Sequence, residues 1–444
     1  MLLPRARRWS RLAALPAASL ASAAEGLVRT RLLRQDHDAV RRLLRRRGAE
    51  RTRRVLGGMK GGALKAGQLL ATVDALFPPD PEGTWSAALR QLPEEARGVP
   101  FPDVAPALRG LGADWGNRLP DLDPVPVAAA SIGQVHRATW REPGSPYDGV
   151  PVAVKLQYPG VADAIAADLA AVSLATRAAS LVARGAAAAP LVAELRTRLR
   201  EELDYAREAR VQRAFAAAYR DDPEVALPDV VAVGPGVLVT TWLEGVPLVG
   251  LADAPRDVRD AVGERYQRFL LSGPARAGWL HTDPHPGNFR RCPDGRLGVL
   301  DLGSALELPH GLPESFGRLI GTLARGGEPA DVEAALRGHG LLRPGARLPA
   351  DDLRRLADVL SPFTEPARSE RFTFGPEWLR GQFARGDDAR DPDPRLAMQL
   401  ALPAEHLFTH RVWLGVVGVL CMLRATVPER AELERWLPGF SAAA

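Results

Sequence analysis

The most informative part of this 444-residue sequence is HTDPHPGNF at residues 281–289, followed by VLDLGSA at residues 299–305. It places Asp283 five residues before Asn288, and Asp301 thirteen residues after Asn288. Phosphoryl transfer from a nucleotide needs one carboxylate to position the attacking hydroxyl. It also needs an amide oxygen and a second carboxylate to hold magnesium against the phosphates. We therefore expect Asp283 to be the base or positioning group, and Asn288 and Asp301 to be the magnesium ligands.

A phosphate-binding lysine is expected upstream on a strand, and the segment VPVAVKLQ at residues 150–157 supplies one. Side chains alternate between the two faces of a strand, so Val152 and Val154 share one face and Lys155 lies on the other. We therefore predict that Lys155 projects into a nucleotide cleft.

The segment REELDYAREA at residues 200–209 is the expected source of a carboxylate that holds this ammonium in place. In a helix, residues four apart lie on the same face, which predicts that Asp204 and Glu208 are neighbours. Glu208 is the predicted partner of Lys155 and the third catalytic residue beside Lys155 and Asp283.

Two rare residue types support this site independently. Lysine occurs only at Lys60, Lys65 and Lys155, against 55 arginines, and asparagine occurs only at Asn117 and Asn288. The skew is typical of a mutational bias, under which a surviving lysine is enriched at sites that need a compact ammonium. Of these five rare residues, Lys155 and Asn288 lie in the predicted site.

The pattern around these residues predicts a small sheet followed by helices. Strands are predicted at residues 134–140 and 150–157, and an antiparallel hairpin at 229–234 and 236–245 around a Gly-Pro-Gly turn. An alanine-rich helical region is predicted at 161–217, and most of the chain after residue 254 reads as helical.

Composition excludes several classes of protein. Lys and Arg total 58 against 53 Asp and Glu, so the formal charge of +5 does not call for nucleic acid as a partner, although weak attraction to an anionic membrane surface stays open. Cys292 and Cys421 are too few for a disulfide framework, which favours a cytoplasmic location, with a peripheral membrane association left open.

The apolar run from Val412 to Leu423 has 12 residues, whereas a spanning helix needs roughly 20. We therefore predict no transmembrane helix here, but a core helix containing Trp413.

Further motifs resemble those of the UbiB (AarF) family of atypical kinases, called the ADCK family in animals. KAGQ at 65–68 resembles the family's KxGQ element, and AAAS at 128–131 resembles the alanine-rich loop that replaces a glycine-rich loop. ELD at 202–204 resembles the ExD element. HTDPHPGN at 281–288 and DLG at 301–303 resemble its catalytic and metal-binding loops.

This resemblance implies an α+β, two-lobed protein-kinase-like fold with a small antiparallel-sheet N-lobe, a mainly helical C-lobe and an N-terminal helical extension that covers the active-site cleft. Such a cover disfavours phosphorylation of a protein in trans. The resemblance implies ATP or ADP and Mg²⁺ as cofactors and a link to isoprenoid lipid or quinone metabolism. It also implies nucleotide-binding roles, beside Lys155, for Lys65, Gln68, Ala128, Ala129, Ala130, Ser131, Glu202 and Asp204.

The expected organisation has four parts. A basic and apolar leader, interpreted as a peripheral amphipathic helix, covers residues 1–28, and the helical extension carrying KxGQ covers 29–119. The kinase-like N-lobe is expected at 120–245, and the C-lobe with its catalytic and metal loops at 246–444.

The favoured function is slow ATP hydrolysis coupled to binding of a lipid or a partner, with phosphoryl transfer to a small molecule as the runner-up. Three other functions stay open at this point. The first is a conventional kinase that acts on proteins in trans, and the second is a nucleotide-binding scaffold without catalysis. The third is a metal-dependent hydrolase, because His281, Asp283 and His285 alternate in an H-x-D-x-H pattern whose side chains are able to chelate a metal ion. The phosphate acceptor, the lipid, protein partners and the oligomeric state are not specified by the sequence.

Overall fold

The computed structural model describes residues 98–441, except residues 131, 167–195, 198, 390–398, 400 and 402–406. The described residues form the expected α+β, two-lobed kinase-like fold, with an antiparallel sheet in the smaller lobe and helices in the larger one. The leader and the KxGQ residues Lys65 and Gln68 lie outside the described residues, as does Ser131. The four-part division of the chain stays a prediction.

The smaller lobe contains a five-stranded sheet in the order β1-β2-β3-β6-β5, with antiparallel pairing throughout. Its strands, numbered in chain order, are β1 (Ala128–Ala129), β2 (Gly133–Thr139), β3 (Pro151–Gln157), β5 (Val230–Gly234) and β6 (Val237–Thr241). The predicted strands and hairpin are therefore confirmed. The turn between β5 and β6 contains Gly236 in a left-handed conformation, with φ of 74°.

The alternation of side chains along β3 fixes which face of the sheet is buried. Val152, Val154 and Leu156 are fully buried in a core that also contains Trp140. Two short helices, α1 (Phe101–Val104) and α2 (Trp115–Arg118), and a 3₁₀ segment between them pack near this face. Lys155 is consequently directed to the opposite face.

Helix α3 (Tyr205–Ala218) packs against β5 and carries Glu208. The predicted placement of Asp204 and Glu208 on one helical face is wrong, because α3 begins only at Tyr205. The Asp204 carboxylate accepts a hydrogen bond from the backbone N–H of Arg207 at 2.9 Å and so caps the helix. A side chain that competes for backbone donors in this way favours a helix start over a helix interior.

The larger lobe is mainly helical. Its helices are α4 (Arg256–Ala277), α5 (Glu314–Ala324), α6 (Pro329–Gly338), α7 (Ala350–Val359), α8 (Ser361–Thr364), α9 (Pro376–Ala389), α10 (Leu407–Leu423) and α11 (Glu429–Trp436). Short strands complete it: β4 (Val225–Ala226), β7 (Val246–Pro247), β8 (Trp279–His281), β9 (Phe289–Arg291), β10 (Leu297–Val299), β11 (Ala305–Glu307), β12 (Phe372–Thr373) and β13 (Thr426–Val427). Strands β4, β10, β9 and β7 form one sheet in that order, and β8 pairs with β11. This arrangement brings the loop after β8, residues 282–288, next to the loop after β10, residues 300–304.

The apolar run after Arg411 lies in α10 and belongs to the core of the larger lobe. Trp413 is 4% exposed and Leu420 is fully buried, which confirms the prediction of a core helix. Across the part of the chain that the structure describes, we find no helix with the length and apolar character needed to span a membrane.

A buried carboxyl group in the larger lobe gives a pH-dependent stability. Glu429 of α11 is 4% exposed and accepts a hydrogen bond from Gln267 Nε2 at 2.6 Å. Burial raises the pKa of Glu429 from 4.5 to about 7; the Gln267 bond opposes this rise and the nearby Glu432 adds to it. The folded protein therefore binds this proton more tightly than the unfolded chain, and the associated stability is lost as pH rises from 4.5 through 7.

We predict that Glu429→Gln removes this loss. Between roughly pH 5 and pH 8, the free energy of unfolding of the wild type should fall by about 3 kcal/mol relative to the variant. Urea unfolding at both pH values measures this difference. Glu434→Gln, at an exposed position of the same helix, is the matched control and should keep the wild-type pH dependence. Parallel curves for the wild type and Glu429→Gln would contradict the prediction.

Candidate functional site

Three charged side chains from distant parts of the chain meet at one point. Lys155 Nζ on β3 donates hydrogen bonds to Glu208 Oε1 at 2.8 Å and Oε2 at 3.0 Å, and to Asp301 Oδ2 at 3.4 Å. The side chains of Lys155 and Glu208 are 14% and 5% exposed, whereas that of Asp301 is 40% exposed. The ammonium is thus anchored on the buried side by Glu208 and contacts the accessible carboxylate of Asp301.

The electrostatics of this cluster keep the Lys155 ammonium charged. Burial by itself lowers the pKa of Lys155, but the carboxylates of Asp301 and Glu208 outweigh burial and raise that pKa well above its usual value. The ring of Tyr205 lies 5.3 Å from the ammonium and adds a cation–π contact. A fixed, permanently charged ammonium next to an accessible carboxylate suits the binding of phosphate oxygens and a divalent cation.

Gly303 explains how the Asp301 loop comes so close to helix α3. A Cβ atom at this position would lie 3.1 Å from Asp301 Oδ1 and 3.1 Å from Glu208 Oε2. The Gly303 backbone N–H donates a hydrogen bond to Asp301 Oδ1 at 2.9 Å, which fixes the carboxylate. A side chain at the glycine of the D-x-G step would therefore crowd both carboxylates, which favours glycine at this position.

The second group of predicted residues lies on the 282–288 loop, between β8 and β9. Asn288 Nδ2 donates to the Asp283 backbone carbonyl and to Asp283 Oδ2, both at 3.1 Å. These bonds leave the amide oxygen of Asn288 as the atom suited to a metal ion. The structure thus pairs Asp283 with Asn288 as it pairs Lys155 with Glu208.

Backbone contacts connect the 282–288 loop to the 300–304 loop. The Leu300 N–H donates to the Asn288 carbonyl at 2.9 Å, and the Thr282 N–H donates to the Ser304 carbonyl at 3.0 Å. The hydroxyl groups of Thr282 and Ser304 also share a hydrogen bond of 2.8 Å. The loop that carries Asp283 and Asn288 and the loop that carries Asp301 are therefore adjacent, although each comes from a separate pair of strands.

His281 and His285 direct their Nδ1 atoms to the backbone. His281 Nδ1 accepts from the Asp283 N–H and His285 Nδ1 accepts from the Gly287 N–H, both at 3.1 Å. His281 is 1% exposed. Within the described ranges, three or more His, Cys, Asp or Glu side chains are nowhere grouped so as to hold a metal ion. In the H-x-D-x-H pattern, both histidines therefore stabilise the backbone of the loop.

The alanine-rich segment begins as strand β1 and turns into β2. Ala128 and Ala129 pair with residues of β2, and the Ala130 N–H donates to the Gly133 carbonyl at 2.8 Å. These bonds make a tight turn between β1 and β2. The role of this turn in nucleotide binding stays a prediction, and Ser131 lies outside the described residues.

The two residues of the ExD element have different surroundings. Glu202 is 5% exposed, and Asp204 is exposed and caps helix α3. Their predicted nucleotide contacts stay predictions, and those of Lys65 and Gln68 fall outside the described residues.

Arg207, next to Glu208, contacts the segment after the D-x-G step in a way that the sequence does not predict. Its Nη2 atom donates to the Ala305 carbonyl at 2.6 Å, which links helix α3 directly to the strand after the D-x-G step. Its Cζ atom also lies 5.3 Å from the ring of Trp279. The signal available in the sequence was a basic residue inside an otherwise acidic segment, adjacent to the predicted lysine partner.

Comparisons with known proteins agree with this geometry. Residues 92–327 match the ABC1 atypical kinase-like domain. The chain is 33% identical over 253 residues to the mitochondrial atypical kinase COQ8 of Saccharomyces cerevisiae, a match that covers 56% of this chain and 48% of the yeast protein. It is 30% identical over 274 residues to the mitochondrial atypical kinase COQ8B of Rattus norvegicus, covering 61% of this chain and 50% of the rat protein.

A solved structure extends the similarity over nearly the whole chain. It is described as the complex of Rv3197 with erythromycin from Mycobacterium tuberculosis, is 35% identical, and superposes with a TM-score of 0.68. The match covers 92% of this chain and 100% of that one. By contrast, the chain spans about half the length of the yeast and rat relatives.

Proposed function

We propose, since this chain belongs to the UbiB (AarF) family of ABC1 atypical kinases, that it binds a magnesium–nucleotide complex and hydrolyses ATP. The observation that carries the proposal is the contact of the Lys155 ammonium with both Glu208 and Asp301. A lysine held by a helical glutamate beside a D-x-G aspartate is the arrangement that phosphoryl transfer uses. Transfer of the phosphoryl group to a small molecule is the second form of the same reaction.

Each residue then has a defined task. Lys155 binds the phosphate oxygens of the nucleotide, and Glu208 orients its ammonium. Asn288 and Asp301 would hold the magnesium ion through oxygen atoms, which are the ligands that this ion prefers. When bound, Mg²⁺ neutralises the charge of the phosphates.

Asp283 positions the attacking oxygen and accepts its proton. Its carboxylate is itself oriented by the hydrogen bond from Asn288 Nδ2. Water is the proposed acceptor, because the family resemblance implies that the KxGQ extension covers the place where a protein substrate would bind. A protein kinase acting in trans and a scaffold that binds nucleotide without turnover are the alternatives that the experiments below distinguish.

We propose isoprenoid or quinone lipid metabolism as the context of this activity. The mitochondrial atypical kinases among the relatives support a shared function in general terms. The lipid, the membrane surface and protein partners belong to the proposal, as does erythromycin, which the solved relative is described as binding.

Measurement of ADP release tests the proposed function. Purified protein should release ADP from ATP in the presence of Mg²⁺, and isoprenoid lipid or anionic vesicles should increase the rate. Erythromycin in a parallel sample tests whether a macrolide acts on the same site. If the phosphate appears on an added protein and no free phosphate is released, the result would favour the trans-acting kinase. Nucleotide binding with no ADP release under any of these conditions would favour the scaffold.

The alanine turn gives a further prediction about nucleotide preference. Three successive alanines restrict φ and place methyl groups near the phosphates, whereas glycine permits a closer approach. Ala130→Gly should therefore change the ratio of ATP to ADP affinity about two- to fivefold, as expected from roughly 0.5–1 kcal/mol of backbone freedom. Titration with both nucleotides, together with the melting temperature as a folding control, measures the effect. An unchanged ratio in a folded variant would show that the methyl groups do not set nucleotide preference.

A further inference from the structure

Pro284, immediately after Asp283, is held by a tyrosine from the core of the larger lobe. The Tyr266 hydroxyl on α4 donates a hydrogen bond to the Pro284 carbonyl at 2.6 Å. Tyr266 is fully buried, and its ring packs edge-on against Phe289 at a centroid distance of 4.8 Å. The bond therefore connects a rigid helix to the backbone of the 282–288 loop at the residue next to the proposed base.

The protonation state of Tyr266 keeps this contact in place. Burial raises the pKa of the phenol well above its usual value, and the charge of Asp283 raises it further. A phenol is protonated at neutral pH even with its ordinary pKa of 10, and the rise of this pKa widens the pH range over which the hydroxyl donates to the Pro284 carbonyl. An unmade hydrogen bond in this buried position would cost more than one at the surface.

The pyrrolidine ring of Pro284 is seated on helix α10 at Gly415. A Cβ atom at Gly415 would lie 2.1 Å from Pro284 Cγ and 2.9 Å from Pro284 Cβ. Such contacts are far inside van der Waals distance, so any side chain at this position would displace the loop or the helix. A Cβ atom at Gly418, one turn further along α10, would meet no atom within 4 Å beyond its own helix.

We propose that Tyr266 and Gly415 are positioning residues, which fix the backbone at Pro284 from two sides and thereby place Asp283 for its task. This inference rests on the proposed function of Asp283. A proline has a restricted φ, so fixing its carbonyl and its ring leaves the preceding residue little freedom. Neither residue touches the nucleotide-binding group of Lys155, Glu208 and Asp301 in the contacts that the structure describes.

The first test compares two tyrosine hydroxyl deletions. Tyr266→Phe should lower kcat for ADP release roughly tenfold, because a small displacement of the positioning group is costly, and should leave KM for ATP within about twofold. Tyr219→Phe is the matched control, since the Tyr219 hydroxyl is also buried and shares a hydrogen bond of 2.6 Å with Ser272 on α4. It should keep the wild-type kcat. Equal losses of kcat in both variants would indicate general destabilisation and overturn the proposal.

The second test uses hydrogen exchange and does not depend on activity. Tyr266→Phe and Gly415→Ala should each speed exchange of the backbone amides in a peptide covering residues 281–289, at least about threefold relative to the wild type. Tyr219→Phe and Gly418→Ala should leave that peptide unchanged. If Gly415→Ala fails to fold, Tyr266→Phe alone decides. Unchanged exchange in Tyr266→Phe would overturn the proposal.

The two tests separate this inference from the proposed function. If the wild type releases no ADP but Tyr266→Phe speeds exchange in the 281–289 peptide, hydrolysis is refuted and the positioning role of Tyr266 is supported. If the wild type releases ADP but Tyr266→Phe changes neither kcat nor exchange in that peptide, hydrolysis is supported and the positioning role of Tyr266 is refuted.

Discussion

Asp301→Asn is expected to abolish ATP turnover, with a loss of about a hundred- to a thousandfold or more, because the phosphates lose the charge that holds magnesium against them. Asparagine has nearly the shape of aspartate and keeps an oxygen that can accept from the Gly303 N–H, so the loop should retain its conformation. The effect would thus report the lost charge. Initial rates of ADP release at saturating Mg²⁺ measure it.

Asp294→Asn is the matched control for this substitution. Asp294 lies in the turn between β9 and β10, is exposed, and forms an ion pair with Arg296 at 2.7 Å. Its loss removes the same charge a short distance away along the chain and should leave turnover within about twofold, as expected for an exposed pair. Turnover that survives in Asp301→Asn at the control rate would refute the assignment of Asp301 as a magnesium ligand.

Lys155→Met is expected to reduce both turnover and stability. The substitution removes the ammonium that pairs with the buried Glu208 carboxylate and with Asp301, and breaking such a pair costs about 3 kcal/mol of unfolding free energy. Turnover should fall at least about a hundredfold, because the ammonium no longer binds the phosphates. Urea unfolding and ADP release, measured on the same preparations, give the two effects separately.

The double variant Lys155→Met with Glu208→Leu separates structure from chemistry. Replacing both charges by apolar groups should recover much of the lost stability without recovering turnover, because a buried pair is replaced more easily than it is broken. Arg268→Met provides the control, since Arg268 pairs with the 5%-exposed Glu432 in the larger lobe. It should lose stability and keep turnover per folded molecule. Recovery of turnover in the double variant would contradict a phosphate-binding role for Lys155.

Features encoded by local spacing were predictable from the sequence. The alternation of β3, the pair Asp283 and Asn288, and the choice of Glu208 as the lysine partner all depend on short-range periodicity or on chemistry with few alternatives. The β5–β6 hairpin was predictable because glycines flank a proline between two valine-rich runs. These features define the part of the site that is proposed to bind the nucleotide.

Features that depend on contacts between distant elements were not predictable in this way. Asp204 reads as a helix residue by spacing, and only its bond to the Arg207 N–H makes it a cap. Tyr266 bonds to Pro284 where helix α4 meets the 282–288 loop. Pro284 packs against Gly415 where helix α10 meets the same loop. Neither tyrosine nor glycine carries a motif that identifies such a partner.

The proposed function requires a magnesium–nucleotide complex to bind at the site that Lys155 and Asp301 form together, and a calorimetric titration of the wild-type protein with ADP measures this binding. The proposed function predicts measurable binding in Mg²⁺ that weakens at least about tenfold when EDTA replaces the metal, and that is lost in Lys155→Met. Equal affinity with and without Mg²⁺, or wild-type affinity in Lys155→Met, would contradict it.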